Sequence, residues 1–163
     1  MRALWLLSLL AVPPGAGSKV GSERPVEMRS SGGLEVDLKR NVGVARGDVV
    51  IQREDVTVCC DEAEARYRGK EIERVECRGR VVVVRKDGTR AIADVAVFDA
   101  AKESVSLSGR ARVRSESADV EGQLIVYDIR SDQLTVKGKD SRFRFQPPVA
   151  DTLQLPRPCP PQR

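Results

Sequence analysis

The sequence contains no histidine. This absence excludes Ser-His-Asp and Cys-His nucleophiles, and it removes the commonest side-chain ligand of metal ions. Carboxylate pairs such as Asp61 and Glu62, or Asp119 and Glu121, are present, but on strands such residues mostly mark the solvent-exposed face. No glycine-rich loop opens a helix to cradle phosphates. We therefore expect a protein that is not an enzyme and that carries no cofactor.

Long hydrophobic segments are also lacking. The one apolar run, residues 3–12, is about half as long as the ~20 residues that cross a bilayer. Arg2 precedes this run, and a Pro-Gly break with small residues follows it, which is typical of a secretory signal. We assign residues 1–17 to a cleaved signal peptide and expect the mature protein in the periplasm; a retained anchor is the alternative.

Charge and aromatic content are both modest. The formal net charge of +4 is a mild basic excess and does not indicate a nucleic-acid partner. Aromatic residues make up only 4% of the chain, so its apolar positions are mainly aliphatic.

Four cysteines would meet an oxidising compartment after export. Cys59 and Cys60 are adjacent on a predicted strand and point to opposite faces, so at most one of them easily reaches Cys77. Two alternatives remain for Cys60 and Cys77, which are a disulfide between neighbouring strands or two small buried apolar side chains. Pairing of Cys159 is not deducible, and the four thiols lack the C-x-x-C spacing of a zinc site, so we expect no metal.

The chain repeats itself about every thirty residues. Similar segments open at Gly47, Gly79 and Gly109, and a closing segment holds Gly138. Within the repeats apolar residues recur with a period of two, most clearly through GRARVR, which indicates strands with one dry and one solvated face. Residues 61–76 are rich in helix-forming Ala, Glu and Arg, but their alternation and Gly69 favour strands with a bulge between Cys60 and Ala63.

The fold class is therefore all-β. One repeat cannot bury its apolar face alone, so the repeats must stack into an elongated pair of sheets or a folded half-pipe. We expect a flexible segment at 18–33, the β domain at 34–146, and a proline-rich tail at 147–163 that is flexible or extended. The apolar interior either closes as an ordinary core or splays into a trough suited to acyl chains.

The segments GDVVIQRED, ADVAVFDAAKESVSLSGRARV and EGQLIVYDIRSDQLTVKG carry a family likeness. The sequence from about residue 34 to 145 resembles the LptA/OstA-like family of periplasmic lipopolysaccharide-transport proteins. The resemblance implies a twisted β-jellyroll that is open along one side and docks head to tail as a homo-oligomer or with similar jellyrolls. It further implies a bridge from the inner-membrane exporter to the outer-membrane translocon. The four cysteines and the proline-rich tail depart from that pattern, and they leave open a relative like LptC or a paralogue carrying another lipid.

The leading hypothesis is a carrier that shields the acyl chains of lipopolysaccharide or a related lipid. An exported scaffold that binds proteins through its strand edges is the alternative. Arg112 and Arg114 are candidates for headgroup phosphates, although a solvated face with cross-strand carboxylates also explains them. The positions expected to line the lipid site are Ile51, Val58, Val83, Leu107, Val113, Leu124, Val126, Val136 and Phe145.

Overall fold

The computed structural model describes residues 25–145 and 153–160. These residues form antiparallel strands and no helix, so the prediction of an all-β fold is confirmed; the predicted signal peptide lies outside the described residues. None of the described residues belongs to a helix capable of spanning a bilayer. The strands are β1 (Glu27–Arg29), β2 (Leu34–Asp37), β3 (Val42–Arg53), β4 (Val56–Arg68), β5 (Glu71–Arg85), β6 (Arg90–Asp99), β7 (Ser104–Arg114), β8 (Ala118–Asp128), β9 (Gln133–Lys137) and β10 (Arg142–Phe145).

The segment with helix-favouring composition is strand. Residues 61–76 belong to β4 and β5, which are joined by a turn at Gly69. Tertiary packing outweighs the local preference, because Ala63 and Ala65 lie on the inward parity of β4 and are buried there.

All ten strands belong to one sheet, in which β3 to β8 pair in chain order. Each end of this sheet is covered by two short strands. At one end, β2 pairs with residues 42–45 of β3 and β1 pairs with residues 50–52. At the other end, β9 pairs with residues 124–128 of β8 and β10 pairs with residues 118–121. The sheet can therefore be divided into two walls, and each long strand has one half in one wall and the other half in the other.

We call these the first wall and the second wall. The first wall contains β2, β9 and residues 42–46, 62–68, 71–78, 95–99, 104–108 and 124–128. The second wall contains β1, β10 and residues 49–53, 56–60, 81–85, 90–93, 111–114 and 118–122.

The two walls face each other. Residues of both walls, including Ala63 and Leu107 of the first and Ile51 and Val120 of the second, form one buried cluster. Among the described residues no helix or second sheet covers that face. The face can be buried only if the single sheet folds upon itself, and the fold is therefore an open half-pipe with an apolar interior.

The fold line follows a row of β-bulges, which bend strands and increase their twist. The register of β4 against β5 shifts between Cys59 and Glu62, which confirms the predicted bulge. The repeated glycines Gly47, Gly79 and Gly109 lie in the corresponding register shifts and have φ of 73°, 78° and 74°. Such values are unfavourable for residues with a Cβ, so the thirty-residue glycine period marks the fold line.

Some residues of both flanking segments are held by contacts with the sheet. Residues 27–29, inside the segment expected to be flexible, form β1 and pair with β3. In the tail, residues 153–160 are held against the sheet, because Cys159 forms a disulfide with Cys59 and Leu153 is buried. The pairing of β1 with β3 and the disulfide both join residues far apart in the sequence, and local composition does not encode them.

Candidate functional site

The inner face of the first wall carries two apolar rows that run across the strands. Their members are direct cross-strand partners, so each row crosses the whole sheet. The row next to the fold line is Leu34, Ala45, Ala63, Cys77, Ala96, Leu107, Ile125 and Val136. The row nearer the rim is Val36, Gly43, Ala65, Val75, Phe98, Val105, Tyr127 and Leu134.

The inner face of the second wall carries a matching row opposite them. It consists of Met28, Ile51, Val58, Val83, Ala91, Val113, Val120 and Phe143.

Burial of this interior decreases with distance from the fold line. Val49, Val81 and Ala111, beside the fold line, are at most 1% exposed. Val83 and Val105, farther out, are only partly buried. The interior side chains are therefore tightly enclosed at the fold line and become more accessible to solvent towards the rim.

Most residues predicted to line the site lie on this inner face, and two do not. Leu124 and Val126 pair with Ser108 and Ser106 on the outward parity, whereas Ile125 between them is 1% exposed and points inward. The prediction of an inward orientation is wrong for these two residues, because the parity of β8 changes between Gly122 and Leu124. The predicted residues on the inward parity are Ile51, Val58, Val83, Leu107, Val113, Val136 and Phe145, the last of which is highly exposed at the sheet edge.

Arg112 and Arg114 lie on the outer face of the second wall. The guanidinium of Arg112 donates hydrogen bonds to both carboxylate oxygens of Asp119 and lies 3.9 Å from Glu121. The Arg112 hydrogen bonds hold the pKa of Asp119 below its usual range. This arrangement matches the cross-strand carboxylate alternative, while a role in binding headgroup phosphates stays a prediction.

The cysteines pair differently from the Cys60–Cys77 disulfide that the sequence allows. The disulfide joins Cys59 to Cys159, and Cys60 and Cys77 are free, buried thiols in the core. A hydrogen bond with Cys60, together with burial, raises the pKa of the Cys77 thiol. The second alternative, small buried side chains, therefore describes these two residues.

Ion pairs between neighbouring strands at the fold line were not predicted from the sequence. The Arg80 guanidinium donates to the Asp61 carboxylate at 2.6 Å, and Arg110 donates to Asp94 at 3.0 Å. Hydrogen bonds from Arg80, followed by those from Arg157, lower the pKa of Asp61. The repeated Gly-Arg dipeptides at 79–80 and 109–110 are the sequence signal that could have revealed these pairs.

The two ends of the sheet expose large apolar side chains. Leu34 and Val36 of β2 are at least half exposed at one end, and Phe143 and Phe145 of β10 are more exposed at the other. The described ranges contain no cluster of three or more metal-ligating side chains. The arrangement is thus suited to binding apolar groups between its walls and further strands at its ends.

Comparison with family models identifies the group to which the chain belongs. The model described as "LptA/(LptD N-terminal domain) LPS transport protein" matches residues 30–141, more than half of the chain. The chain belongs to this family. In this LptA-family protein the match runs through β2 to β9 and leaves out β1, β10 and the tail.

A solved structure shares the fold of this LptA-family chain. LptH from Pseudomonas aeruginosa is described as the LptA-homologous periplasmic component of the lipopolysaccharide transport device, and its crystal structure is similar with a TM-score of 0.64. The two chains are 23% identical, and the match covers 76% of this chain and 94% of LptH. A search of curated proteins finds no match.

Proposed function

We propose that this chain is a periplasmic carrier that shields the acyl chains of lipopolysaccharide, or of a related lipid, on the way from the inner to the outer membrane. The observation that carries the proposal is the aliphatic inner face, which is sealed at the fold line and only partly buried towards the rim. Each acyl-chain methylene that moves from water to this inner face contributes about 0.8 kcal/mol to the binding free energy, so a few acyl chains suffice for tight binding.

The ends of the half-pipe support a bridging role. β1 and β2 at one end, and β9 and β10 at the other, each pair on one side only within the described chain. Edge strands with open hydrogen-bonding groups accept further strands, and the exposed Leu34 and Phe143 add apolar area at both ends. The proposed partners are similar jellyrolls of the inner-membrane exporter and the outer-membrane translocon, or a second copy of this chain.

A photocrosslinking pair tests the carrier. p-Benzoylphenylalanine at position 98 lies on the inner rim row and replaces another aromatic residue, whereas the same probe at position 124 lies on the outer face. Both native side chains, Phe98 and Leu124, are half-buried, so the two positions differ mainly in the face they present. We expect irradiation with lipopolysaccharide to yield a lipid adduct at position 98 and none at position 124.

The alternative, an exported scaffold that binds only proteins through its strand edges, predicts no lipid-specific adduct. In that case position 98 gives no lipid adduct above the level at position 124, while probes on β2 or β10 still trap protein neighbours. That pattern would remove the lipid-carrier proposal and leave the docking ends in place.

A further inference from the structure

The tail contacts a strand that lies much farther away in sequence than the neighbouring strands of the sheet do from one another. The strands pack chiefly on their hydrogen-bonded neighbours, as expected for a stacked repeat. We call residues 153–160 the C-terminal strap. A disulfide between Cys59 and Cys159 spans 100 residues of sequence and ties this strap, which follows the last strand, back to β4. The strap therefore connects the chain that follows β10, at one end of the sheet, to β4 near the other end.

Several contacts hold the strap in place besides the disulfide. Arg157 is nearly buried, and its guanidinium donates to the Asp48 carboxylate at 3.2 Å, to the Cys60 carbonyl oxygen at 3.3 Å and to Asp61. Leu153 is buried but lies outside the inner core cluster. Cys59 lies on the outward parity of β4 and is nevertheless buried. The strap thus lies against the outer face of the second wall at Cys59 and reaches the fold line at Arg157.

The strand that precedes the strap is weakly held by its own contacts. β10 has four residues, all exposed, and it covers only residues 118–121 of β8. Two ion pairs support it, Arg142 with Glu121 at 3.0 Å and Arg144 with Asp119 at 3.6 Å. A short terminal strand of this kind frays readily, and closing the chain beyond it into a loop reduces the entropy gained on fraying.

We propose that the Cys59–Cys159 disulfide is a latch that keeps β10 on β8. Reduction of the disulfide releases the strap and β10, and it opens residues 118–121 of β8 to an incoming strand. The proposal rests on the proposed function, since it adds redox control to the C-terminal docking end. An open edge of this kind fits an extended strand at the edge of another β-sheet.

The reductant is a dithiol. Cys159 is partly exposed whereas Cys59 is buried, so a thiolate of the reductant attacks the Cys159 sulfur and the Cys59 sulfur leaves and takes up a proton. The second thiol of the reductant then attacks the mixed disulfide and frees Cys159 as a thiol. The protein ends with two thiols, and the reductant ends as a disulfide.

Amide hydrogen exchange on the full chain tests the latch without lipid or partner. We expect dithiothreitol to accelerate exchange in β10 by about tenfold or more, and to leave β9, the other short strand on β8, unchanged. The Cys159→Ser variant should exchange rapidly in β10 with or without dithiothreitol. A peptide of residues 140–146 should bind the reduced chain more tightly than the oxidised chain.

Unchanged exchange in β10 after reduction would overturn the proposal. Equal acceleration in β9 and β10 would also overturn it, because the disulfide would then stabilise the whole sheet without acting on one strand. Should the Cys159→Ser variant fail to fold, the native chain before and after reduction decides the question alone. Neither result depends on lipid binding, so the latch and the carrier proposal can fail separately.

Discussion

Removing the strap disulfide should measurably destabilise the fold. The Cys159→Ser substitution opens a covalent loop that spans 100 residues, and the chain-entropy relation assigns about 4.7 kcal/mol to a loop of that size. Release of the strap and β10 gives the reduced folded state some conformational entropy, which offsets part of this value, so we expect a loss of about 3–5 kcal/mol in the free energy of unfolding. The melting temperature should fall by roughly 10 °C or more.

Urea unfolding followed by far-UV circular dichroism measures this loss. The oxidised native chain is compared with the same chain in dithiothreitol and with the Cys159→Ser variant. Reduction should lower the midpoint of the native chain to that of the variant and should not change the variant. A difference below about 1 kcal/mol between the oxidised chain and the variant would refute the reasoning, because the strap would then contribute little to the folded state.

Three further sets of substitutions test the fold line, the side-chain orientation in β8 and the buried Asp119 carboxylate. Gly79→Ala should lower the free energy of unfolding by about 1–3 kcal/mol, because the positive φ at Gly79 and the nearby Asp61 carboxylate both oppose a Cβ. The control is Gly43→Ala, whose Cβ would meet open space, and it should cost far less when both variants are compared by thermal melting. Ile125→Ala should cost about 2–5 kcal/mol in urea unfolding, and Leu124→Ala under about 1.5 kcal/mol. The lowered pKa of Asp119 stabilises the fold at neutral pH, and this stabilisation is lost as the pH falls through about 4 towards the folded-state pKa; Asp119→Asn should flatten that acid dependence.

Much of the architecture follows from local sequence patterns. The period-two alternation and the thirty-residue repeat predict an all-β stacked sheet, and the parity change in β4 predicts its bulge. Glycines at equivalent places in each repeat mark where the sheet folds, because only a residue without Cβ adopts those φ values at low cost.

The side-chain orientation in β8 could not be predicted in the same way. Residues 124–126 are consecutive apolar residues, so the alternation that orients other strands is absent there. A bulge shifts the parity by one residue and turns Ile125 inward in place of Leu124 and Val126. Orientation at such a site depends on pairing with β7, which is a tertiary property.

The pairing of the cysteines could not be predicted from the local sequence for a different reason. Cys59 and Cys60 are neighbours on one strand, and the face that each presents decides which of them meets another cysteine. The partner of Cys59 lies in the strap, whose path over the second wall has no counterpart in the repeat pattern. Only the folded chain brings the two sulfurs together.

Fluorescence quenching by a labelled lipid tests the proposed lipid binding between the two walls most directly. Trp5 is the single tryptophan of the chain, so Phe98→Trp in a Trp5→Phe background places one fluorophore on the inner rim row, and Leu124→Trp places it on the outer face. Lipopolysaccharide with nitroxide-labelled acyl chains should quench the fluorophore at position 98 strongly and the one at position 124 weakly. Equal quenching at the two positions, or none at position 98, would contradict the proposal that acyl chains lie between the two walls.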